Sequence, residues 1–206
     1  MQAMNLLARS ATLAITALGH LLRFVATRCW WRWGPSYRHN WQMLSIRSAV
    51  TADVPAIRKL ADPLVEKRIL LGKELVELYE SIQEFVVAEL DGELVGFGAL
   101  HVMWRDLGEV RTLAVAESAK RKGVGTALLS ELLQRAKALG IKRVFCLTFE
   151  KDFFASHGFE EISDIPVDPE TYAEMVRSHD EGVAEFLDLA RVKQNTLGNS
   201  RMLRHL

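Results

Sequence analysis

The chain has 206 residues, with 26 Lys and Arg against 26 Asp and Glu, so its formal net charge is zero. That balance argues against a protein that holds nucleic acid by bulk positive charge, and 49% hydrophobic with 25% charged residues is the composition of a folded chain. The zero hides an asymmetry: residues 1–52 carry six arginines and no acidic residue, so the remaining 154 residues carry 20 basic and 26 acidic side chains.

The leader is apolar from Met4 to Val25, but Arg9 and Arg23 bracket an uncharged run of only 13 residues, short of the roughly 18 to 20 a bilayer demands. Arg9, Thr12, Thr16, His20, Arg23 and Thr27 recur at helical steps and form a narrow polar stripe. Three readings stay open for residues 1–43: an extension outside the fold, an interfacial helix with Trp30, Trp31 and Trp33 at headgroup level, or a targeting peptide. Membrane contact is expected only through this segment. Cys29 and Cys146 lie far apart and outside any metal-ligand spacing, so neither a disulfide framework nor a metal site is predicted, and the setting is a reducing one, the cytoplasm.

A single domain is predicted over residues 44–206. Ile46 to Ala49 reads as a strand, and Thr51 as the cap of a helix with Val54, Ile57, Leu60 and Leu64 at helical spacing. Leu75, Leu78, Tyr79 and Ile82 suggest a second short helix. Phe85 onward, the Asp91-Gly92 turn and Leu94 to Val102 form a hairpin, with Gly96 and Gly98 marking a bulge or a close backbone approach. Val110 to Val115 is a strand that runs into Ala116-Glu-Ser-Ala-Lys-Arg-Lys-Gly-Val-Gly125, followed by a helix with Leu128, Leu129, Leu132, Leu133 and Ala136 on one face and Gly140 as its stop. Ile141 to Leu147 reads as a buried strand. A short helix at Asp152 to Ser156, a His157-Gly158 turn, a strand at Phe159 to Ile162, helices at Pro169 to Arg177 and Val183 to Leu189, and a last strand from Ser200 complete the chain. The predicted class is α/β (α+β), a mixed central sheet of about six to seven strands flanked by helices.

Chemistry concentrates at Lys120-Arg121-Lys122-Gly123-Val124-Gly125-Thr126. Two glycines where a strand gives way to a helix let backbone N–H groups and the positive helix end converge on an anion. The spacing is neither a dinucleotide fingerprint nor a nucleoside-triphosphate loop.

With Leu113-Ala114-Val115 before that loop and Phe153-Phe-Ala-Ser-His-Gly-Phe159 after it, the sequence resembles the GNAT superfamily of acetyl-CoA-dependent N-acetyltransferases. Glu109-Val-Arg-Thr-Leu-Ala-Val115, Val144-Phe-Cys-Leu-Thr148 and Gly198-Asn-Ser-Arg-Met-Leu narrow the likeness to N-acetylglutamate synthases of the short, actinobacterial type. That branch, like this chain with Phe154, lacks the family's usual tyrosine. The resemblance implies the GNAT fold and acetyl transfer to L-glutamate, the first step of arginine biosynthesis, with acetyl-CoA as co-substrate and no permanently bound cofactor. A homodimer is a further expectation. Leu113, Ala114 and Val115 would bind the pantetheine arm, and Lys120 through Thr126 the pyrophosphate. Glu109 matches a general-base position, Thr148 lies beside the departing thiolate, and Lys73, Arg111, Ser200 and Arg201 are expected on the substrate, Arg111 facing it or solvent. Gly198 stands where the branch carries a substrate-binding arginine. Two alternatives are a GNAT enzyme for another amine, such as a protein lysine or other amino acid, and a non-catalytic acetyl-CoA sensor.

Overall fold

The computed structural model describes residues 43–189 and 199–206, all within the compact unit Gln42–Leu206. The leader readings and Gly198 lie outside the described residues. The elements are β1 (Leu44–Ser48), α1 (Val54–Glu66), α2 (Leu75–Glu80), β2 (Phe85–Leu90), β3 (Glu93–Trp104), β4 (Leu107–Val115), α3 (Val124–Ala138), β5 (Arg143–Thr148), α4 (Lys151–Ser156), β6 (Glu160–Glu161), α5 (Pro169–Met175), α6 (Glu181–Phe186) and β7 (Ser200–His205). They form one seven-stranded sheet in the order β1-β2-β3-β4-β5-β7-β6. Only β4 and β5 pair in parallel.

Several boundaries differ from the sequence reading, and three of them have a local cause. Thr51 opens a 3-10 turn instead of capping the helix, and it is the Asp53 carboxylate that accepts the Val50 N–H at 2.8 Å. β5 starts at Arg143 because the N–H groups of Ile141 and Lys142 are spent on Ala136 and Asp106 carbonyls. β6 shrinks to two residues because the Phe159 N–H closes α4 on the Phe154 carbonyl while its ring enters the core.

The sheet has two covered faces. α3 lays Leu128, Leu129, Leu132 and Ala136 against Val110, Val144, Cys146 and Met202 on one face, and each fully buried leucine there contributes about 2 kcal/mol. Gly96 and Gly98 give this helix its close approach: a Cβ on either would lie 3.0 Å from Leu128 or Leu132 Cδ1. The opposite face carries two separate clusters. One joins α1 and α2 to Phe85, Val87, Phe97 and Ala99, and the other joins α5 and α6 to Leu107, Phe145 and Leu203.

Candidate active site

The site begins with a break in the ladder. β4 pairs with β5 only at Leu107, Gly108 and Glu109, opposite Arg143, Val144 and Phe145. Beyond Glu109 the strands part, because β4 bulges. Arg111 still faces Ala99, but the next partner of β3 is Ala114, facing Phe97. Thr112, with φ 58°, and Leu113 together stand opposite the single residue Gly98. A β-branched residue in the left-handed region is a strained conformation. The bulge sets the side chains out of simple alternation, so Leu113 and Val115 face α3 while Arg111 and Ala114 face the other way. The backbone of Leu113 to Val115 therefore has no partner among the described residues on the β5 side, where the two strands have parted.

The gap leads to the phosphate loop. Gly123 has φ 80° and caps α3, whose first N–H groups have no intrahelical acceptor. Arg121 also takes a left-handed φ, 63°, turning the chain so that Lys120, Arg121 and Lys122 lie on the exposed rim. Lys120 Nζ sits 2.7 Å from Glu117, an exposed pair that holds it only weakly. Gly125 lies against Phe153, whose ring atoms would be 3.5 Å from a Cβ there. These N–H groups, cations and glycines suit a pyrophosphate.

Glu109 is buried, with 5% of its surface exposed. Its Oε2 accepts from Arg111 Nε at 3.0 Å and Nη2 at 2.6 Å. The other side of the same guanidinium forks onto Asp180, with Nη1 and Nη2 each 3.0 Å from an oxygen. Four of Arg111's five N–H donors are thereby used. This corrects the expectation that Arg111 presents its fork to substrate or solvent. Burial works against its charge, yet Glu109 and Asp180 outweigh burial and hold the guanidinium firmly ionised. Burial likewise pushes the Asp180 carboxyl up, but Arg111 overrides it and keeps that group at about 2.

Helix α6 covers this network and was not anticipated from the sequence as part of the site. Asp180 caps it, accepting the Val183 N–H at 2.9 Å, and Gly182 lies directly over the Glu109–Arg111 pair. At its far end the Phe186 carbonyl accepts from Arg201 Nη2 at 2.6 Å, while the Arg201 guanidinium stacks 5.7 Å from the Phe145 ring centre. Glu109 is the last β4 residue paired with β5, opposite Phe145, and Phe145 pairs with Leu203; two residues further along β5, Leu147 pairs with Arg201 on the same face. One helix thus spans both arginines. Glu185 also sits here, its carboxyl pushed up to about 7 by burial and by the charges of Glu109 and Glu181.

The other expected residues fall around this centre. Thr148 is buried at the end of β5, its hydroxyl oxygen accepting the Glu150 N–H at 2.9 Å. Lys73 and Thr112 line a small cavity of about 30 Å³ between α1, the segment before α2 and the bulge. Ser200 donates to Glu161 at 2.9 Å. Phe154 is core, edge-on to Phe153 and Phe159. His157 Nδ1 is 2.7 Å from the Phe153 carbonyl, a structural contact. Cys146 is fully buried, and burial, then the charge of Glu109, push its thiol far up. No group of metal-ligating side chains occurs among the described residues.

The acetyltransferase (GNAT) family model matches residues 57–161. The chain belongs to the GNAT acetyltransferase family. It is 58% identical over 161 residues to an amino-acid acetyltransferase of Mycobacterium tuberculosis, covering 77% of this chain and 92% of that protein. A crystal structure of a Mycobacterium tuberculosis protein in complex with CoA superposes with a TM-score of 0.75 at 56% identity, covering 79% of this chain and 99% of that one. An N-acetylglutamate synthase of Neisseria gonorrhoeae, complexed with coenzyme A and N-acetyl-glutamate, superposes with a TM-score of 0.64 at 32% identity; the match covers 80% of this chain but 35% of that one. The family accounts for the gap and loop: GNAT acetyltransferases use acetyl-CoA as co-substrate. Among the described residues, no helix is long and apolar enough to cross a membrane.

Proposed function

We propose that this GNAT enzyme transfers the acetyl group of acetyl-CoA to the α-amine of L-glutamate, forming N-acetyl-L-glutamate. The observation that carries the reading is the parting of β4 from β5 immediately after a buried Glu109, with the phosphate loop at the other end of the gap. Similarity to amino-acid acetyltransferases and to a synthase crystallised with N-acetyl-glutamate supports glutamate as acceptor.

The chemistry follows from these placements. Backbone N–H groups of Leu113 to Val115 bind the pantetheine arm and polarise the thioester carbonyl, while the loop from Lys120 to Thr126 holds the pyrophosphate. The ammonium of glutamate gives a proton, through a water, to Glu109. The free amine then attacks the carbonyl carbon; the new C–N bond forms, the C–S bond breaks, and the CoA sulfur takes a proton. The nitrogen gives up its second proton as the C–S bond breaks, and that proton ends on the sulfur; Phe154 has no hydroxyl to pass it on, so Thr148 is the proposed relay, its oxygen accepting one bond and its hydrogen remaining to be donated. Lys73, Ser200 and Arg201 serve the two carboxylates, with Arg111 adding its charge and its one remaining Nη1–H. The acyl group passes directly between substrates, because a thiol as buried as Cys146 forms no thiolate near neutral pH. Residues 44–206 form the catalytic domain, in a cytoplasmic setting, with residues 1–43 as its N-terminal extension.

The test is CoA release with a panel of amino acids. Glutamate should give by far the highest kcat/KM; equal rates with lysine would overturn the reading.

A further inference from the structure

The geometry points to Asp180 and Gly182, the cap and first turn of α6, as positioning residues that act through Arg111 to aim the Glu109 carboxylate. The inference rests on the acetyl-transfer reading above but adds a part of the chain that lies some 70 residues beyond the sheet residues it controls.

Glu109 has two oxygens with different fates. Oε2 takes both Arg111 bonds, at 3.0 and 2.6 Å, whereas no hydrogen bond among the described residues reaches Oε1. A carboxylate pinned by one oxygen leaves the other for a water and its proton, the arrangement a general base needs. Arg111 can pin it only if the guanidinium plane is itself fixed. The two-point fork to Asp180 does this, and Asp180 is in turn fixed because Oδ1 caps α6 through the Val183 N–H. His101 braces the far side: its Nε2 is 3.7 Å from Asp180 and its Nδ1 is 2.7 Å from Glu84. The chain of contacts runs from β3 through the α6 cap to Arg111 and ends on the carboxylate.

Gly182 completes the device by what it lacks. A Cβ at this position would lie 2.5 Å from Glu109 Oε2 and 2.8 Å from Arg111 Nη2. Both are ends of flexible side chains, so a methyl group there would displace them while leaving the backbone in place. Gly182 sits inside a helix, where alanine is otherwise favoured by up to about 1 kcal/mol. Helix propensity alone would therefore favour Gly182→Ala, so a loss in that variant comes from the displaced Glu109–Arg111 pair.

The experiment is a double-mutant cycle on turnover. Gly182→Ala and Asp180→Asn are each made alone and in the Glu109→Gln background, and kcat and KM are measured for both substrates, with thermal melts to follow folding. Each single variant should lower kcat about tenfold or more, as expected for a misplaced reacting group, with KM for acetyl-CoA unchanged. In the Glu109→Gln background the same changes should alter kcat less than about twofold, because the group they aim is gone. Equal losses in both backgrounds would overturn the inference. So would a fall in KM for glutamate in Asp180→Asn, which would mean that Asp180 competes with substrate for Arg111. Should one variant fail to fold, the other decides. Wild-type CoA release with glutamate is measured first; if another amine proves to be the acceptor, the cycle is run with that amine, so the two readings fail separately.

Discussion

Glu185 makes the electrostatics of α6 measurable. Its carboxyl is half-buried on α6, faces Glu109 and Arg111 from β4 and Asp180 and Glu181 from its own segment, and is pushed from an ordinary 4.5 to about 7. Full burial would make that displacement worth about 3 kcal/mol, and the partial exposure of the side chain screens it to about 1 kcal/mol. The sign follows from proton binding. Below 4.5 the carboxyl is neutral in folded and unfolded chains alike. Between 4.5 and about 7 the folded protein keeps a proton that the unfolded chain has released, so stability falls as pH rises through this window. Above it the folded protein carries an unfavourable charge. Glu185→Gln keeps the size and removes the charge. Urea unfolding of both proteins should give equal stabilities near about pH 4.5 and an advantage of about 1 kcal/mol for the variant near about pH 8.5. A stability difference that does not change with pH, or one favouring the wild type at high pH, would refute the reasoning.

Three further outcomes are expected. Glu109→Gln should lower kcat by about 100-fold with KM for acetyl-CoA unchanged, measured by steady-state CoA release; an unchanged kcat removes Glu109 from the proton path. Gly123 has open space where a Cβ would go but a φ of 80°, so Gly123→Ala should cost about 1 kcal/mol in thermal unfolding and raise KM for acetyl-CoA by disturbing the loop. Cys146→Ala should keep turnover within about threefold, its cost falling on stability at about 1 kcal/mol for the lost buried sulfur; abolished turnover with an intact fold would revive an acyl-enzyme.

What could be read in the sequence was whatever is written locally. The loop from Lys120 to Thr126 announces itself because its glycines and cations are adjacent in the chain, and α3 because Val124, Leu128, Leu129, Leu132, Leu133 and Ala136 share one face of a 15-residue helix. Strands β4 and β5 were legible from their apolar runs, but the order in which the sheet sets them beside β7 was not. The α6 contribution was illegible for the opposite reason. Asp180, Gly182 and Glu185 sit in a six-residue helix with no motif of its own, and their meaning comes only from landing on Glu109 and Arg111, across a separation that no periodicity spans.

The misreading of Arg111 has a more specific cause. Strict alternation would put Glu109, Arg111, Leu113 and Val115 on one face of β4, as one continuous surface around the thioester, with Arg111 free beside it. The bulge at Thr112 divides that set: Glu109 and Arg111 face α6, while Leu113 and Val115 join the α3 core. No residue in Val110-Arg-Thr-Leu-Ala-Val115 is a bulge former by type, since a glycine or asparagine would usually take the positive φ that Thr112 holds. The glycines that permit the irregularity lie on the neighbouring strand, at Gly96 and Gly98, where the Gly98 position would otherwise collide with Leu113 at 2.8 Å. The strain at Thr112 is thus accommodated by β3 and yields two things at once: a strand edge that leaves β5 along the proposed pantetheine path, and a place under α6, on the face opposite the α3 core, where Glu109 and Arg111 are organised as a buried ion pair.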